Sequence, residues 1–198
     1  MISLYTKKIS GVWFGVASNE KKVFATTFGF NKERVLRNLL RTIPYNMPFQ
    51  HLENASSFSE HVMALLRDVY DGKDVSFSFH LATDYLSSYA RKVVKTVSLV
   101  PPGYVTSYGS VAEAAGGSPR AVGRVMALNP FPLIVPCHRV VCSDFKLGGY
   151  GLGLDMKLEI LRREGRGYTS KREISVDSKK LSIFPVEFVL ERSEKGKC

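Results

Sequence analysis

Ala114-Ala115-Gly116-Gly117-Ser118-Pro119-Arg120 joins two helical periods across a pair of glycines. Upstream, Thr106-Ser107-Tyr108 opens a helix through Ala115, with Val111, Ala114 and Ala115 facing inward, and Gly116-Gly117 ends it. Downstream, Ser118 offers a side-chain oxygen to the free amides of a new helix. Pro119 takes the first helical position, where a missing N–H is no loss. The second helix runs to about Leu128, with Val122, Val125 and Met126 as its packing stripe and Arg120, Gly123, Arg124 and Ala127 opposite. Helix, glycine turn, helix is the helix-turn-helix pattern. The outer face carries two cations and almost no bulk, which lets a helix backbone come close to a phosphate ladder. A solvated surface helix is the plainer reading of that face, but it gives no reason for a mid-helix glycine, which costs about 1 kcal/mol.

Next along the chain, Asn129-Pro130-Phe131-Pro132-Leu133-Ile134-Val135 leads into Pro136-Cys137-His138-Arg139-Val140-Val141. Prolines fix φ and β-branched residues stiffen an extended backbone, so the cysteine and its neighbouring histidine read as a nucleophile in a rigid, half-buried strand. Taken alone, a free cysteine is more often a small buried hydrophobe. A glycine-rich loop, Leu147 to Leu154, follows. Asp155 then caps a last helix in which Leu158 and Leu161 face inward and Glu164 stands just before Gly165.

The N-terminal part has a different texture. Val12 to Phe30 reads as a β-hairpin around Ser18-Asn19-Glu20-Lys21, followed by a helix over Lys32 to Arg41 that Pro44 closes. A second helix is expected over Ser59 to Tyr70, a turn at Asp71-Gly72-Lys73, and a strand over Val75 to Phe79, where apolar and polar residues alternate. From Asp84 the pattern is helical, with Tyr89, Val93, Val94 and Val97 on one stripe before Pro101-Pro102-Gly103. The tail from Gly167 is basic and polar except for Leu181 to Leu190, which reads as a docked strand or as a joint to something else. The expected class is α+β. A small mixed α/β support domain covers 1–82, a mainly helical domain with the helix-turn-helix and a buried reactive cysteine covers 83–168, and a tail covers 169–198.

The 198 residues carry a net charge of +10, and its distribution is uneven. Lys and Arg outnumber Asp and Glu by 10 to 5 over residues 86–164, against 10 to 8 over residues 1–85. The helix-turn-helix region is therefore the electropositive part, which suits a polyanion such as nucleic acid. Three scattered cysteines, Cys137, Cys142 and Cys198, lack metal-ligand spacing and point away from a disulfide framework. The first residues lack the apolar core of a signal peptide and no apolar run reaches membrane-spanning length, so a soluble intracellular protein without membrane association is expected.

With these motifs in one order, the chain resembles the O6-alkylguanine-DNA alkyltransferases, also called DNA-methylguanine methyltransferases. The resemblance runs from Tyr104 to Gly165 through Thr106-Ser107-Tyr108-Gly109, Arg120-Ala121-Val122-Gly123, Asn129-Pro130, Pro136 to Val141, Gly149-Tyr150-Gly151 and Glu164-Gly165. It implies a suicidal repair protein that moves the alkyl group of O6-alkylguanine in duplex DNA onto its own cysteine, with O4-alkylthymine as an open further substrate. Cys137 would be the acceptor, His138 the base acting through a water, Glu164 the group that orients the imidazole, and Asn129 the hinge between recognition helix and reactive segment. Reaching O6 of a stacked guanine requires extruding the nucleotide. The resemblance makes Arg120 the finger that fills the gap and Tyr108 the residue that turns the phosphate. Gly123, Arg124 and Ser107 would lie along the DNA in the minor groove, and the backbone of Val140 and Gly151 would read the guanine edge. No cofactor and no metal are implied, since no cysteine precedes Cys137 to build the zinc site that some relatives carry. A monomer in the cytoplasm, on the nucleoid, or in a nucleus is expected.

Two departures stand out. Gly151 occupies a position where many relatives have serine, so only a backbone N–H is available there, and the segment between Tyr108 and Arg120 is shorter than in some relatives. Cys142 is expected to be an exposed spectator. Two other classes compete: a lesion-binding protein of alkyltransferase-like type, whose members replace the motif cysteine, and a cysteine hydrolase, which leaves the arginine face without a role.

Overall fold

The computed structural model describes residues 1–195, so Cys198 lies outside the described residues. The chain forms two compact units. The first comprises Met1–Tyr70, Val75–Leu86 and Pro130–Ile134, and the second comprises Asp71–Asp74, Ser87–Asn129 and the described residues from Val135 onward.

In the first unit, strands β1 (Ile2–Ile9), β2 (Val12–Ser18) and β3 (Lys22–Gly29) form an antiparallel meander. Helix α1 (Lys32–Thr42) follows, its first turn capped by the Asn31 side chain. Strand β4 (Phe49–His51), helix α2 (Ser57–Tyr70) and strand β5 (His80–Leu81) complete the unit. The short strands add in parallel at the two edges, giving the order β4-β1-β2-β3-β5. Side chains alternate across a strand. Phe14 and Phe28 therefore meet Tyr70 of α2 on one face, with ring centroids 5.8 Å away in each case. Gly15, Ala17 and Ala25 lie on the other face, under Leu39 of α1. The hairpin and both helices appear where the periodicity places them. The strand expected over Val75–Phe79 is absent: Phe77 stacks on Phe79 at 4.8 Å, and Phe79 meets Phe58 and His61 edge-on. Ring packing satisfies the alternation that a ladder was expected to explain.

The second unit starts with α3 (Ser88–Val97), β6 (Tyr104–Ser107), α4 (Tyr108–Ala115) and α5 (Pro119–Ala127). The helix-turn-helix is capped as its sequence dictates: Ser107 Oγ accepts from Ser110 N–H, and Ser118 Oγ accepts from Ala121 N–H. Gly117 has φ +89°, and a Cβ there would stand 2.5 Å from the Tyr89 hydroxyl, so only glycine fits this turn. After β7 (Val140–Val141) and α6 (Leu154–Glu164), residues left open by sequence reasoning form a hairpin, β8 (Arg172–Val176) and β9 (Lys179–Pro185), and a last helix α7 (Val186–Lys195). Strand β9 pairs antiparallel with β6, giving the order β7-β6-β9-β8. This unit is thus not only helical: the tail supplies half of a four-stranded sheet. The α+β class holds for the chain as a whole. No helix among the described residues is long and apolar enough to cross a membrane.

Candidate active site

The reactive segment is a coil of tight turns. The N–H of Cys137 donates to the Val135 carbonyl at 2.7 Å across Pro136, whose φ of −78° and ψ of 65° define an inverse γ-turn. Cys137 to Arg139 then make one 3-10 turn, closed by Arg139 N–H donating to the Pro136 carbonyl at 2.9 Å. The extended strand expected over Pro136–Val141 therefore shrinks to Val140 and Val141. The proline ring that was read as stiffening a strand instead fixes the entry to a turn. Asn129, two residues past the end of α5, donates from Nδ2 to the same Val135 carbonyl at 3.0 Å, and its side chain also hydrogen-bonds the Cys137 thiol. Recognition helix and reactive turn are thereby tied through one amide.

Behind the thiol lies a buried charge network. His138 and Glu164 are fully buried, and His138 Nε2 stands 2.9 Å from Glu164 Oε1. Arg139 donates from Nε to both carboxylate oxygens and from Nη2 to Oε1 at 2.6 Å, while its Nη1 donates to the Val100 carbonyl. Burial on its own would raise the Glu164 pKa, but the charges and hydrogen bonds of His138 and Arg139 outweigh it and hold the carboxyl at about 2. An ionised carboxylate only accepts, so His138 must present Nε2–H to it. Burial lowers the His138 pKa against the pull of Glu164, which keeps the ring neutral. Nδ1 is then a basic nitrogen, buried and without a hydrogen-bond partner among the described residues.

Cys137 is 6% exposed. Burial pushes its thiol pKa up, opposed by the Asn129 hydrogen bond and the positive charge of Lys157. A thiol so placed is protonated at neutrality and reacts only when its proton has somewhere to go.

Sequence reasoning missed two members of the site. Lys157 is fully buried, and its Nζ donates to the carbonyls of Val140 at 2.6 Å, Leu147, and Gly149 at 3.3 Å. Burial lowers its pKa to about 8, with Cys137 and Cys142 pulling the other way. The signal was present: Lys157, Ile160, Leu161 and Glu164 recur at helical spacing on the buried face of α6. Tyr150 has a buried hydroxyl with no hydrogen-bond partner among the described residues, and burial followed by the charges of Cys137 and Glu164 pushes its phenol well up. Its place in Gly149-Tyr150-Gly151 was visible, but not its direction.

The remaining expected residues fall into two groups. Tyr108, the first residue of α4, points its hydroxyl at the Gly149 carbonyl, 3.5 Å away, and burial lifts its pKa to about 12. Gly148 has φ +68°, and a Cβ there would lie 2.9 Å from the Tyr108 ring. Arg120 and Arg124 are exposed on α5, with Gly123 between them. Ser107 is buried, and its Oγ is engaged as the cap of α4. The Val140 carbonyl already receives the Lys157 ammonium, and Gly151 is exposed with open space around it. Cys142 is half-buried where exposure was expected, because its sulfur packs beside Gly148. The α6 cap is Gly153, at φ 100°, and Asp155 sits in the first turn without a capping bond. No cluster of His, Cys, Asp and Glu among the described residues has the arrangement of a metal site.

Residues 88–166 match the sequence model described as 6-O-methylguanine DNA methyltransferase, DNA binding domain. The methylated-DNA–protein-cysteine methyltransferase of Methanocaldococcus jannaschii is 30% identical over 157 residues, which cover 79% of this chain and 90% of that protein. The chain belongs to the methylated-DNA–protein-cysteine methyltransferase family. The relative from Methanothermobacter thermautotrophicus is 41% identical over 102 residues, 50% of this chain and 57% of its own, so the match spans little more than half of that protein. The crystal structure of O6-methylguanine-DNA methyltransferase from the hyperthermophilic archaeon Pyrococcus kodakaraensis superposes with a TM-score of 0.64 and 30% identity over 84% of this chain and 100% of that one. In this chain the family match covers the helix-turn-helix, the reactive turn, the glycine loop and α6, and it stops before β8.

Proposed function

We propose that the protein repairs DNA by transferring the alkyl group of O6-alkylguanine irreversibly to Cys137. The observation that carries this reading is the neutral His138, held through Nε2 by an ionised Glu164, with a buried Nδ1 that has no partner among the described residues and, one residue earlier in the chain, a buried thiol that must lose a proton. In the reaction, Cys137 Sγ passes its proton through a water to Nδ1 and attacks the alkyl carbon. The carbon–sulfur bond forms as the carbon–O6 bond breaks, and the guanine takes the departing electron pair and a proton from water, which the imidazolium replaces when it returns to the neutral form. Glu164 stabilises the imidazolium as it forms. The product is a thioether, which has no carbonyl for water to attack, so each molecule acts once.

The guanine must leave the stack to reach a cysteine that is 6% exposed. Arg120, at the start of α5, fills the gap, and Tyr108 turns the 3′ phosphate. Gly123 and Arg124 lie along the minor groove, where small residues allow close approach. The bound base meets the Gly148–Gly151 loop, with Gly151 offering its N–H. Duplex DNA carrying the lesion is the partner, and a single chain suffices.

The test uses a duplex containing O6-methylguanine. Wild-type protein should clear the lesion with a stoichiometry of about one per molecule. Cys137→Ser should bind the same duplex and leave the lesion in place. Clearance by Cys137→Ser would refute the nucleophile, and tight binding without clearance by wild-type protein would favour a lesion-binding role.

A further inference from the structure

The family match ends at residue 166, yet the chain continues into β8, β9 and α7, and these elements close around the loop that faces Cys137. Phe145, at the start of that loop, has φ +62° and closes a turn in which its N–H donates to the Cys142 carbonyl at 3.0 Å and the Cys142 N–H donates to the Lys146 carbonyl at 2.9 Å. The tail packs against its ring. The Phe145 ring lies edge-on to Phe184 of β9 and to Phe188 of α7, with centroids 5.3 Å away in both cases. Phe145 and Leu147 also pack on the buried cluster of Val105, Val141, Leu161, Val186 and Val189, to which α7 contributes the last two. From the inner side, Lys157 holds the Leu147 and Gly149 carbonyls. The next residue is Tyr150, whose buried hydroxyl lies near Cys137.

The tail reaches the other side of the site as well. Glu187 Oε1 accepts the N–H groups of Arg166 and Gly167, just past the end of α6 that delivers Glu164. Thr106 Oγ1 donates to the Ser182 carbonyl at 2.8 Å, which fixes β9 to the strand leading into Tyr108. An element that only added bulk to the core would not need to meet the loop, the carboxylate helix and the tyrosine strand together.

We propose that the C-terminal hairpin and helix are a strap that positions the Leu147–Tyr150 loop against Cys137, with Phe145, Phe184 and Phe188 as positioning residues for alkyl transfer. The strap rests on the alkyl-transfer reading of Cys137. A loop displaced by about 1 Å lowers the rate of a positioned reaction on the order of 100-fold, because the near-attack geometry is lost.

The experiment compares full-length wild type, Phe188→Ala and Phe188→Leu, reading the rate of benzyl transfer from saturating free O6-benzylguanine and the hydrogen exchange of backbone amides. Free base removes DNA binding from the measurement. Phe188→Ala should slow transfer about 10- to 100-fold. It should also lose protection at the Cys142 and Phe145 amides, which donate within the turn that opens the loop, while 93–97 in α3 keep theirs, and Phe188→Leu should recover most of the rate. If Phe188→Ala does not fold, Phe145→Leu, which removes both ring contacts but stays apolar, is read by the same criteria. A folded variant that reacts at the wild-type rate overturns the strap, as does a loss of protection spread evenly over the second unit. A wild-type protein that takes no benzyl group overturns the alkyl-transfer reading itself, and the strap with it.

Discussion

Glu164 organises the site. Its carboxylate accepts from His138 and from two nitrogens of Arg139 in a fully buried setting, so replacing it leaves a guanidinium without its counter-charge. Glu164→Gln should cost about 3–5 kcal/mol in stability, the range for breaking a buried pair from one side. Urea denaturation at neutral pH measures this, and a change below about 1 kcal/mol would show the pair to be unimportant. The pH dependence has a definite sign. The folded carboxyl sits at about 2 against an ordinary 4.5, so the unfolded chain binds the proton more readily. The stabilisation is complete above about pH 4.5 and is lost as pH falls toward 2, a loss that Glu164→Gln should not show. Cys137, His138 and Glu164 were legible because each stands in a motif of fixed order. Lys157 and Tyr150 were not, since a lysine on an apolar stripe is ordinarily a snorkelling surface residue, and a tyrosine between glycines carries no indication of where its hydroxyl points.

At the scale of elements, local chemistry was the reliable guide. Ser118 and Pro119 marked a helix start and act as expected, because capping depends on neighbours in sequence, whereas Asp155 does not cap α6, where the positive φ of Gly153 makes the turn instead. Strands fared worse because they need partners far along the chain. Val75–Phe79 alternates without pairing, whereas β1 went unread because Lys7 and Lys8 obscure the period at its end. Helix α5 yields a prediction at this scale. A Cβ on Gly123 would come no nearer than 3.9 Å to the Tyr108 ring, so nothing inside the protein requires glycine there. Gly123→Ala should therefore stabilise the helix by about 1 kcal/mol. If the face approaches a DNA backbone closely, the same change slows transfer from duplex DNA and leaves transfer from free O6-benzylguanine untouched. Thermal denaturation and the two rates check this, and equal duplex rates would remove the reason for a small residue at that position.

For the whole molecule, the expected class and the order of motifs agree with the structure, and the tail was read only in part. Leu181 to Leu190 shows as a docked strand or a joint: its first half is β9, paired with β6 about 80 positions earlier, but the rest is α7, and β8 has no apolar pattern to announce it. The charge distribution leads to a whole-molecule prediction. Arg120 and Arg124 are exposed on one helix face of a chain with a net charge of +10. Affinity for duplex DNA should fall linearly on logarithmic axes as salt rises, with a slope of about −0.9 per phosphate neutralised, and Arg124→Ala should flatten it by about 1. Alkyl transfer from free base, which neutralises no phosphate, should stay nearly constant over the same salt range. A slope unchanged in Arg124→Ala would move the DNA to another face.

The central claim is that one particular sulfur accepts the alkyl group. Folded, reduced protein incubated with a duplex containing O6-methylguanine, then digested and weighed peptide by peptide, tests it directly. The peptide holding Cys137 should gain one methyl group as the lesion disappears, with none on Cys142. An unmodified Cys137 after prolonged incubation, or a methyl group on any other residue, would contradict the account.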